Sequence, residues 1–217
     1  MKRKLMQSLL DWKSSKSRKP LLIRGARQVG KTWLMKEFGK RHFSNVAYVN
    51  FDEDSTAKQI FENDYNIPRI ITALKLQCGQ NIVPEETLII FDEIQEAPRA
   101  VTCLKYFCEN APEYYVAAAG SLLGVASLEG TGFPVGKVDF LDLYPMTYTE
   151  FLNATGNVRY AELLAGGDWN AITVFKNKFI ENLRYYYFVG GLPEAVASFA
   201  AQNDFQAVRA IQKQLLD

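Results

Sequence analysis

Short apolar runs alternate with amphipathic segments along the first two thirds of the chain. Runs typical of buried strands, short and bounded by polar or turn residues, lie at 20–24, 45–50, 87–91, 113–119 and 137–143. Apolar residues at helical spacing lie between or after them, at 33–40, 58–63, 68–78, 100–109 and 148–153. Strands that alternate with helices predict an α/β fold built on a parallel sheet.

The last third of the chain has a helical pattern. Residues 154–168 include Gly156, Gly166 and Gly167, and we predict a polar break there. The break separates a predicted core domain, residues 1–155, from a smaller helical domain, residues 156–217. Within the smaller domain we predict one long helix over 169–189, ended by Gly190–Gly191, and further helices from Pro193 and over 205–216.

A phosphate-binding motif follows the first predicted strand. Residues 25–32 read Gly-Ala-Arg-Gln-Val-Gly-Lys-Thr and match G-x-x-x-x-G-K-[ST] between a strand and a helix, which is the context that this motif requires. Glycines allow backbone amides to face an anion, Lys31 places an ammonium at the β- and γ-phosphates, and the Thr32 hydroxyl is a Mg²⁺ ligand. The competing interpretation is a glycine turn at a helix start. The residues predicted to bind nucleotide are Gly25, Ala26, Arg27, Gln28, Val29, Gly30, Lys31, Thr32 and Trp33.

Two adjacent carboxylates, Asp92 and Glu93, end the third predicted strand. Ligands of open parallel sheets lie beyond the carboxyl ends of the strands, so both side chains are expected near the γ-phosphate. Asp92 is predicted to hold Mg²⁺ together with Thr32, and Glu93 to orient the attacking water. By itself, such a strand end is also typical of a solvated acidic loop.

Glu93 favours ATP hydrolysis over other phosphate-loop chemistries. A GTPase is expected to have Asp-x-x-Gly where this chain has Asp-Glu-Ile-Gln, at residues 92–95. A small-molecule kinase needs no glutamate that activates water.

The next predicted strand runs into Gly120–Ser121. We predict that Ser121 senses the γ-phosphate, which makes Lys31, Glu93 and Ser121 the predicted catalytic residues. Ser121 is also suited to cap a helix over 122–127. The acidic segment 51–54, which follows the second strand, either reaches the site or forms a solvated turn and helix start.

These motifs, with Leu-Tyr-Pro-Met-Thr-Tyr-Thr-Glu-Phe-Leu at 143–152 and Gly-Gly-Leu-Pro-Glu-Ala at 190–195, resemble a family of prokaryotic AAA+-superfamily ATPases. These are the AAA_14, DUF4143-containing, archaeal-ATPase-like P-loop NTPases, and the resemblance covers residues 20–196. It implies a three-layer α/β/α core with strand order 5-1-4-3-2 and a small C-terminal α-helical lid. It also implies ATP and Mg²⁺ as cofactors, and a C-terminal domain of restriction-endonuclease-like fold beyond residue 217.

The resemblance has two departures. Pro193 and Glu194 stand where origin-recognition-type ATPases carry a sensor arginine in Gly-x-x-Arg, and Lys137 stands where relatives often have arginine. Lysine has the charge but not the bidentate fork. Arg99, Lys137 and Arg184 are the candidates for an arginine finger supplied in trans by a homo-oligomer, and the sequence does not choose among them.

Charge is distributed unevenly. The first 41 residues contain thirteen lysines and arginines against two acidic residues, although the net charge of the 217-residue chain is +1. The basic N-terminal segment either contacts nucleic acid or is a solvated helix and linker. Three cysteines without a C-x-x-C motif and no apolar stretch of about 20 residues predict a cytoplasmic protein with reduced thiols and no membrane partner.

The sequence therefore predicts a Mg²⁺-dependent ATPase that drives or switches an attached nuclease-like domain or a partner. A competing prediction is an ATP-switched DNA- or protein-binding module with negligible turnover.

Overall fold

The computed structural model describes residues 1–121 and 133–214. The strands in these residues are β1 (Leu21–Gly25), β2 (Asn45–Asn50), β3 (Thr87–Asp92), β4 (Tyr115–Ser121) and β5 (Asp139–Asp142). The helices are α1 (Leu5–Ser14), α2 (Lys31–His42), α3 (Ser55–Gln59), α4 (Ile67–Cys78), α5 (Pro98–Asn110), α6 (Tyr148–Ala154), α7 (Val158–Gly166), α8 (Trp169–Val174), α9 (Lys176–Val189), α10 (Pro193–Gln202) and α11 (Phe205–Gln214), with a 3-10 turn over Ile94–Glu96.

The five strands form one sheet in the order β2-β3-β4-β1-β5, and every neighbouring pair is parallel. From the other edge this is 5-1-4-3-2, so the predicted fold class and strand order are confirmed. β3 is buried at all six positions, in agreement with the apolar run at 88–91, which is typical of a strand covered on both faces. Helix α2 packs against β1, β2, β3 and β4, and α4 packs against β2.

Aromatic side chains fill the core beside the central strands. Phe51, Phe61 and Phe91 are fully buried, and their ring centroids lie 5.6–5.7 Å apart. Tilted and edge-on rings at this separation are the favoured arrangement for aromatic pairs. Cys103 is buried in the same cluster, and burial raises the pKa of its thiol to about 12. All three cysteines are free.

The chain divides into two compact units. One is Leu5–Leu143; the other joins Met1–Lys4 to the residues from Tyr144 onward. The second unit has its own core, formed by Met146, Phe151, Val189, Ala195, Val196, Phe199 and Val208. The contact boundary lies at Leu143, before the sequence boundary at residue 155, and the division into an ATPase core and a lid stays a prediction.

Three predicted helical features are wrong in detail. The break at 154–168 contains α7, and the single helix over 169–189 is split into α8 and α9 at Phe175. The helix predicted over 58–63 overlaps only the last two residues of α3, which begins at Ser55 because the Asp54 carboxylate accepts the amide of Ala57 as an N-cap. The acidic segment 51–54 thus forms a turn and helix start.

Some predicted features lie outside the described residues. These are the helix that Ser121 would cap over 122–127 and residues 128–132, the first part of a glycine-rich loop that the sequence predicts over 128–136. Residues 215 and 216 of the last predicted helix also lie there.

Candidate nucleotide-binding site

The loop between β1 and α2 curls tightly around its own amides. A methyl group at Gly25 would overlap with the carbonyl oxygen of Leu143, so no larger residue fits at the end of β1. Gln28 and Gly30 have left-handed backbone angles, with φ of 63° and 91°. Gly30 is the N-cap of the 12-residue helix α2 and has no side chain to accept the first amides of the helix. The amides of this first turn are therefore suited to an anion.

Lys31 folds back onto this loop. Lys31 is only 6% exposed, and its Nζ donates to the carbonyl oxygens of Gly25 at 3.0 Å and Ala26 at 2.8 Å. Burial lowers the pKa of the ammonium, while the carboxylates of Glu93 and Asp92 oppose this effect. A buried ammonium needs such partners, because an unpaired buried charge is costly.

The Asp92 carboxylate at the end of β3 receives three hydrogen bonds. Thr32 Oγ1 donates to Oδ2 at 2.6 Å, and Tyr48 Oη donates to the same oxygen at 3.0 Å. The backbone amide of Glu93 donates to Oδ1 at 3.2 Å. Burial, with the Asp92 carboxylate next in importance, raises the pKa of Tyr48, so this phenol stays protonated and donates. The predicted pair of Thr32 and Asp92 is thus in direct contact.

Glu93 lies next to this carboxylate in a strained conformation. Its φ of 49° and ψ of 46° fall in the left-handed region, which costs a non-glycine residue about 1–2 kcal/mol. Gln95 Nε2 donates to Glu93 Oε2 at 2.6 Å. The other amide atom, Gln95 Oε1, is buried without a hydrogen-bond partner among the described residues.

Ser121 ends β4, which lies between β1 and β3 in the sheet. It is half-buried and lies in register with Gly25. The sheet order therefore places the carboxyl ends of three neighbouring strands, at Gly25, Asp92 and Ser121, along one edge.

The remaining predicted contacts of the loop differ in exposure. Ala26, Arg27 and Gln28 are exposed, Val29 is buried, and Trp33 is 42% exposed. Tyr48 and Gln95 are site residues that sequence reasoning missed. The available signal for Tyr48 was its position two residues before the end of a strand that neighbours the Asp92 strand.

The hydroxyl of Thr32 and the carboxylate of Asp92 are oxygen ligands, the type that Mg²⁺ prefers. In residues 1–121 and 133–214, no cluster of three or more His, Cys, Asp or Glu forms another metal site. The residues present thus fit the magnesium ion that the motif implies.

The three arginine-finger candidates differ in their surroundings. Arg99 Nε donates to the carbonyl oxygen of Phe61 at 2.8 Å, and Lys137 Nζ lies 2.8 Å from Glu109 Oε1. Arg184 is exposed on α9. Two candidates are thus engaged within the chain.

The basic N-terminal segment is partly committed to the fold. Arg3 is 8% exposed, and its Nε lies 3.1 Å from Glu150 Oε1. The guanidinium of Arg18 lies 3.6 Å from the ring centroid of Tyr115. Lys2, Lys4 and Lys16 are exposed.

A family model described as an AAA domain, AAA_14, matches residues 17–152, which include the loop of residues 25–32 and Tyr48, Asp92, Glu93, Gln95 and Ser121. The chain belongs to this family. It is an AAA+ P-loop ATPase domain, and its family membership indicates nucleotide binding.

Known proteins resemble this AAA domain in sequence or in fold. An uncharacterised protein of Methanocaldococcus jannaschii is 23% identical over 198 residues, which cover 85% of this chain and 39% of the archaeal protein. The chain thus spans about two fifths of that relative's length. The structure of Drosophila ORC bound to DNA matches with a TM-score of 0.53 at 16% identity, covering 97% of this chain and 65% of that one. The Thermotoga maritima RuvB branch-migration motor matches with a TM-score of 0.51 at 13% identity, covering 93% and 61%.

Within the described residues, no helix has both the length and the apolar character needed to cross a bilayer.

Proposed function

We propose that this AAA domain binds ATP with Mg²⁺ at the loop of residues 25–32 and hydrolyses it. The observation that carries the proposal is the 2.6 Å hydrogen bond from Thr32 to Asp92. This bond joins the phosphate-binding helix to the strand end that also bears Glu93. A glycine turn without a ligand needs neither this link nor a buried lysine.

Each residue has a role that its chemistry supports. The loop amides and Lys31 bind the phosphates, and Lys31 is already directed at the loop by Gly25 and Ala26. Thr32 and Asp92 would hold Mg²⁺, which supplies neutralisation of charge on the phosphate oxygens when bound. Glu93 accepts a proton from the attacking water and orients it, and Ser121 donates to the γ-phosphate.

We make further proposals about the process that ATP hydrolysis drives. We propose that ATP hydrolysis drives or switches an attached C-terminal nuclease-like domain or a partner, and that a second copy supplies a finger in trans. The greater length of the archaeal relative supports an attached domain. The second candidate function is an ATP-switched module that binds DNA or protein with negligible turnover. The exposed Lys2, Lys4 and Lys16 support nucleic acid as its partner.

The test compares ATP binding and phosphate release with Mg²⁺ for wild type, Lys31→Ala and Glu93→Gln. We expect wild type to turn over, Lys31→Ala to lose binding, and Glu93→Gln to bind ATP while its turnover falls at least 10²-fold. Lys40→Ala, at an exposed lysine of the same helix α2, is the matched control and should behave as wild type.

Two outcomes would revise the proposal. Wild type that binds ATP but releases no phosphate at any protein concentration would favour the switch. Wild type that binds no ATP would refute the site itself.

A further inference from the structure

Tyr48 lies on β2, opposite Ile90 of β3, and its hydroxyl reaches the end of β3. There it shares Asp92 Oδ2 with the Thr32 hydroxyl, at 3.0 Å and 2.6 Å respectively. One carboxylate oxygen is thus held from two directions, by a strand and by a helix. Because Oδ1 accepts the amide of Glu93, both oxygens of Asp92 are anchored by the protein itself.

The ring of Tyr48 is held from the same helix that provides Thr32. Lys36 Nζ lies 3.4 Å from the ring centroid, a distance that gives a cation–π contact. Residues 32 and 36 are four apart on α2 and therefore lie on one face of the helix. Helix α2 thus contacts the Tyr48 ring through Lys36. Through Thr32, the same helix shares Asp92 Oδ2 with the Tyr48 hydroxyl.

We propose that Tyr48 is a positioning residue that fixes the Asp92 carboxylate for the magnesium ion, with Lys36 holding the ring. This inference rests on the proposed ATPase function. Removing a partner that orients a metal ligand commonly costs 10–100-fold in metal affinity or activity, because the ligand is then held less firmly. Without Tyr48, Asp92 Oδ2 would keep the Thr32 hydroxyl as its partner, and that hydroxyl must also turn its oxygen toward the metal.

The test measures binding of a fluorescent ATP analogue in Mg²⁺ and in EDTA, and the Mg²⁺ concentration that gives half-maximal phosphate release. For Tyr48→Phe we expect unchanged affinity in EDTA and about a 10-fold loss of the gain in affinity that Mg²⁺ provides. The half-maximal Mg²⁺ concentration should rise by a similar factor. Lys36→Met should shift both quantities in the same direction by a smaller factor.

Tyr115→Phe is the matched control. It also deletes one tyrosine hydroxyl. Tyr115 is the first residue of β4, and its hydroxyl lies 3.4 Å from the backbone oxygen of Lys13, away from Asp92. This variant should leave the Mg²⁺ dependence unchanged. If Tyr48→Phe does not fold, the Mg²⁺ dependence of nucleotide binding by Lys36→Met, a change at an exposed residue, tests the proposal instead.

Equal Mg²⁺ dependence in wild type and Tyr48→Phe would overturn the inference, since a tyrosine that merely packs would give that result. Equal losses in EDTA and in Mg²⁺ would overturn it as well. Wild type without Mg²⁺-dependent binding would refute the proposed function and this inference together.

Discussion

Buried charges in the described residues have specific partners. Arg3, Lys31, Asp92 and Glu150 are all less than a tenth exposed, and each lies within hydrogen-bond distance of polar groups. Glu150 accepts the amides of Lys4 and Thr147, both at 2.8 Å, in addition to the guanidinium of Arg3. An isolated carboxylate would not be stable there, so this ion pair has a measurable effect on stability.

The Arg3–Glu150 pair predicts a pH-dependent stability. Burial by itself would raise the pKa of Glu150, but the amides of Lys4 and Thr147 and the Arg3 guanidinium outweigh it, so the pKa is lowered. The stabilisation is therefore complete above the unfolded pKa of about 4.3 and is lost as the pH falls through the lower folded pKa. We expect Glu150→Gln to reduce the free energy of unfolding at pH 7 by about 3 kcal/mol, measured by urea denaturation.

The deficit of Glu150→Gln should shrink as the pH falls below about 4.3 and through the lower folded pKa, because the wild-type glutamate takes up a proton first in the unfolded chain and then in the folded one. Glu181→Gln is the control, since Glu181 forms an exposed pair with Lys178 at 2.8 Å and should change stability little. A deficit that stays constant over this pH range would mean that the Glu150 charge is not what stabilises the fold.

Single site residues were predictable where the chemistry lies in one continuous motif. Lys31 and Thr32 follow from the loop motif, and Asp92 from an apolar strand that ends in an acid. Tyr48 did not follow, because its partner is 44 positions away and the contact depends on the register of β2 with β3. Gln95 reaches Glu93 through the left-handed turn at Glu93, which sequence pattern does not indicate for a glutamate.

At the scale of elements, a close backbone approach joins the segment before α6 to the turn before α10. The Met146 amide donates to the carbonyl oxygen of Gly191 at 2.6 Å. A Cβ at Gly191 would lie 2.5 Å from the carbonyl oxygen of Met146 and 2.9 Å from Pro145 Cβ. The second of the paired glycines is thus required by packing, while Gly190 ends α9 with a φ of 77°.

Gly191→Ala is therefore expected to destabilise the second unit. The methyl group would force the two backbone segments apart, and overpacking of this kind costs about 1–3 kcal/mol. The measurement is the urea unfolding midpoint. Gly166→Ala is the control, because Gly166 has open space around its α-carbon and ends α7. Equal midpoints for Gly191→Ala and wild type would show that the segments separate without cost.

Two errors in the predicted helices, the missed α7 and the unpredicted break between α8 and α9, have physical explanations. Gly167, taken as part of a polar break, is the left-handed residue that ends α7, with a φ of 70°. The break at Phe175 follows Ile-Thr-Val at 172–174, where β-branched side chains are restricted in a helix. Thr173 Oγ1 also donates back to the Trp169 carbonyl oxygen at 2.8 Å, a bond that bends helices.

At the scale of the whole molecule, the parallel sheet follows from the alternation of apolar strands and helices. The strand order came from the resemblance, because periodicity alone does not tell which strands are neighbours. The order β2-β3-β4-β1-β5 is what brings the loop after β1 beside the ends of β4 and β3. Residues from three separate segments of the chain are thereby placed at one edge of the sheet.

The proposed arginine finger from a second copy would make turnover a property of the assembly. Arg99 donates to the carbonyl oxygen of Phe61, and Lys137 forms an ion pair with Glu109. The exposed Arg184 is therefore the candidate that we propose to mutate. Arg184→Ala should keep wild-type ATP affinity while its turnover falls about 10³-fold, the lower end of the range for fingers. Arg159→Ala, at another exposed arginine of the same unit, should retain turnover.

Mixing two inactive variants distinguishes a finger in trans from a residue that acts within its own chain. Glu93→Gln keeps Arg184 but lacks the residue that orients water, whereas Arg184→Ala keeps an intact site. In mixed assemblies the first variant would supply its arginine to the site of the second, so phosphate release should exceed the sum of the separate activities. The specific activity of wild type should also rise with protein concentration. A mixture no more active than its components, with wild-type activity independent of concentration, would mean that each copy hydrolyses ATP without a neighbour's arginine.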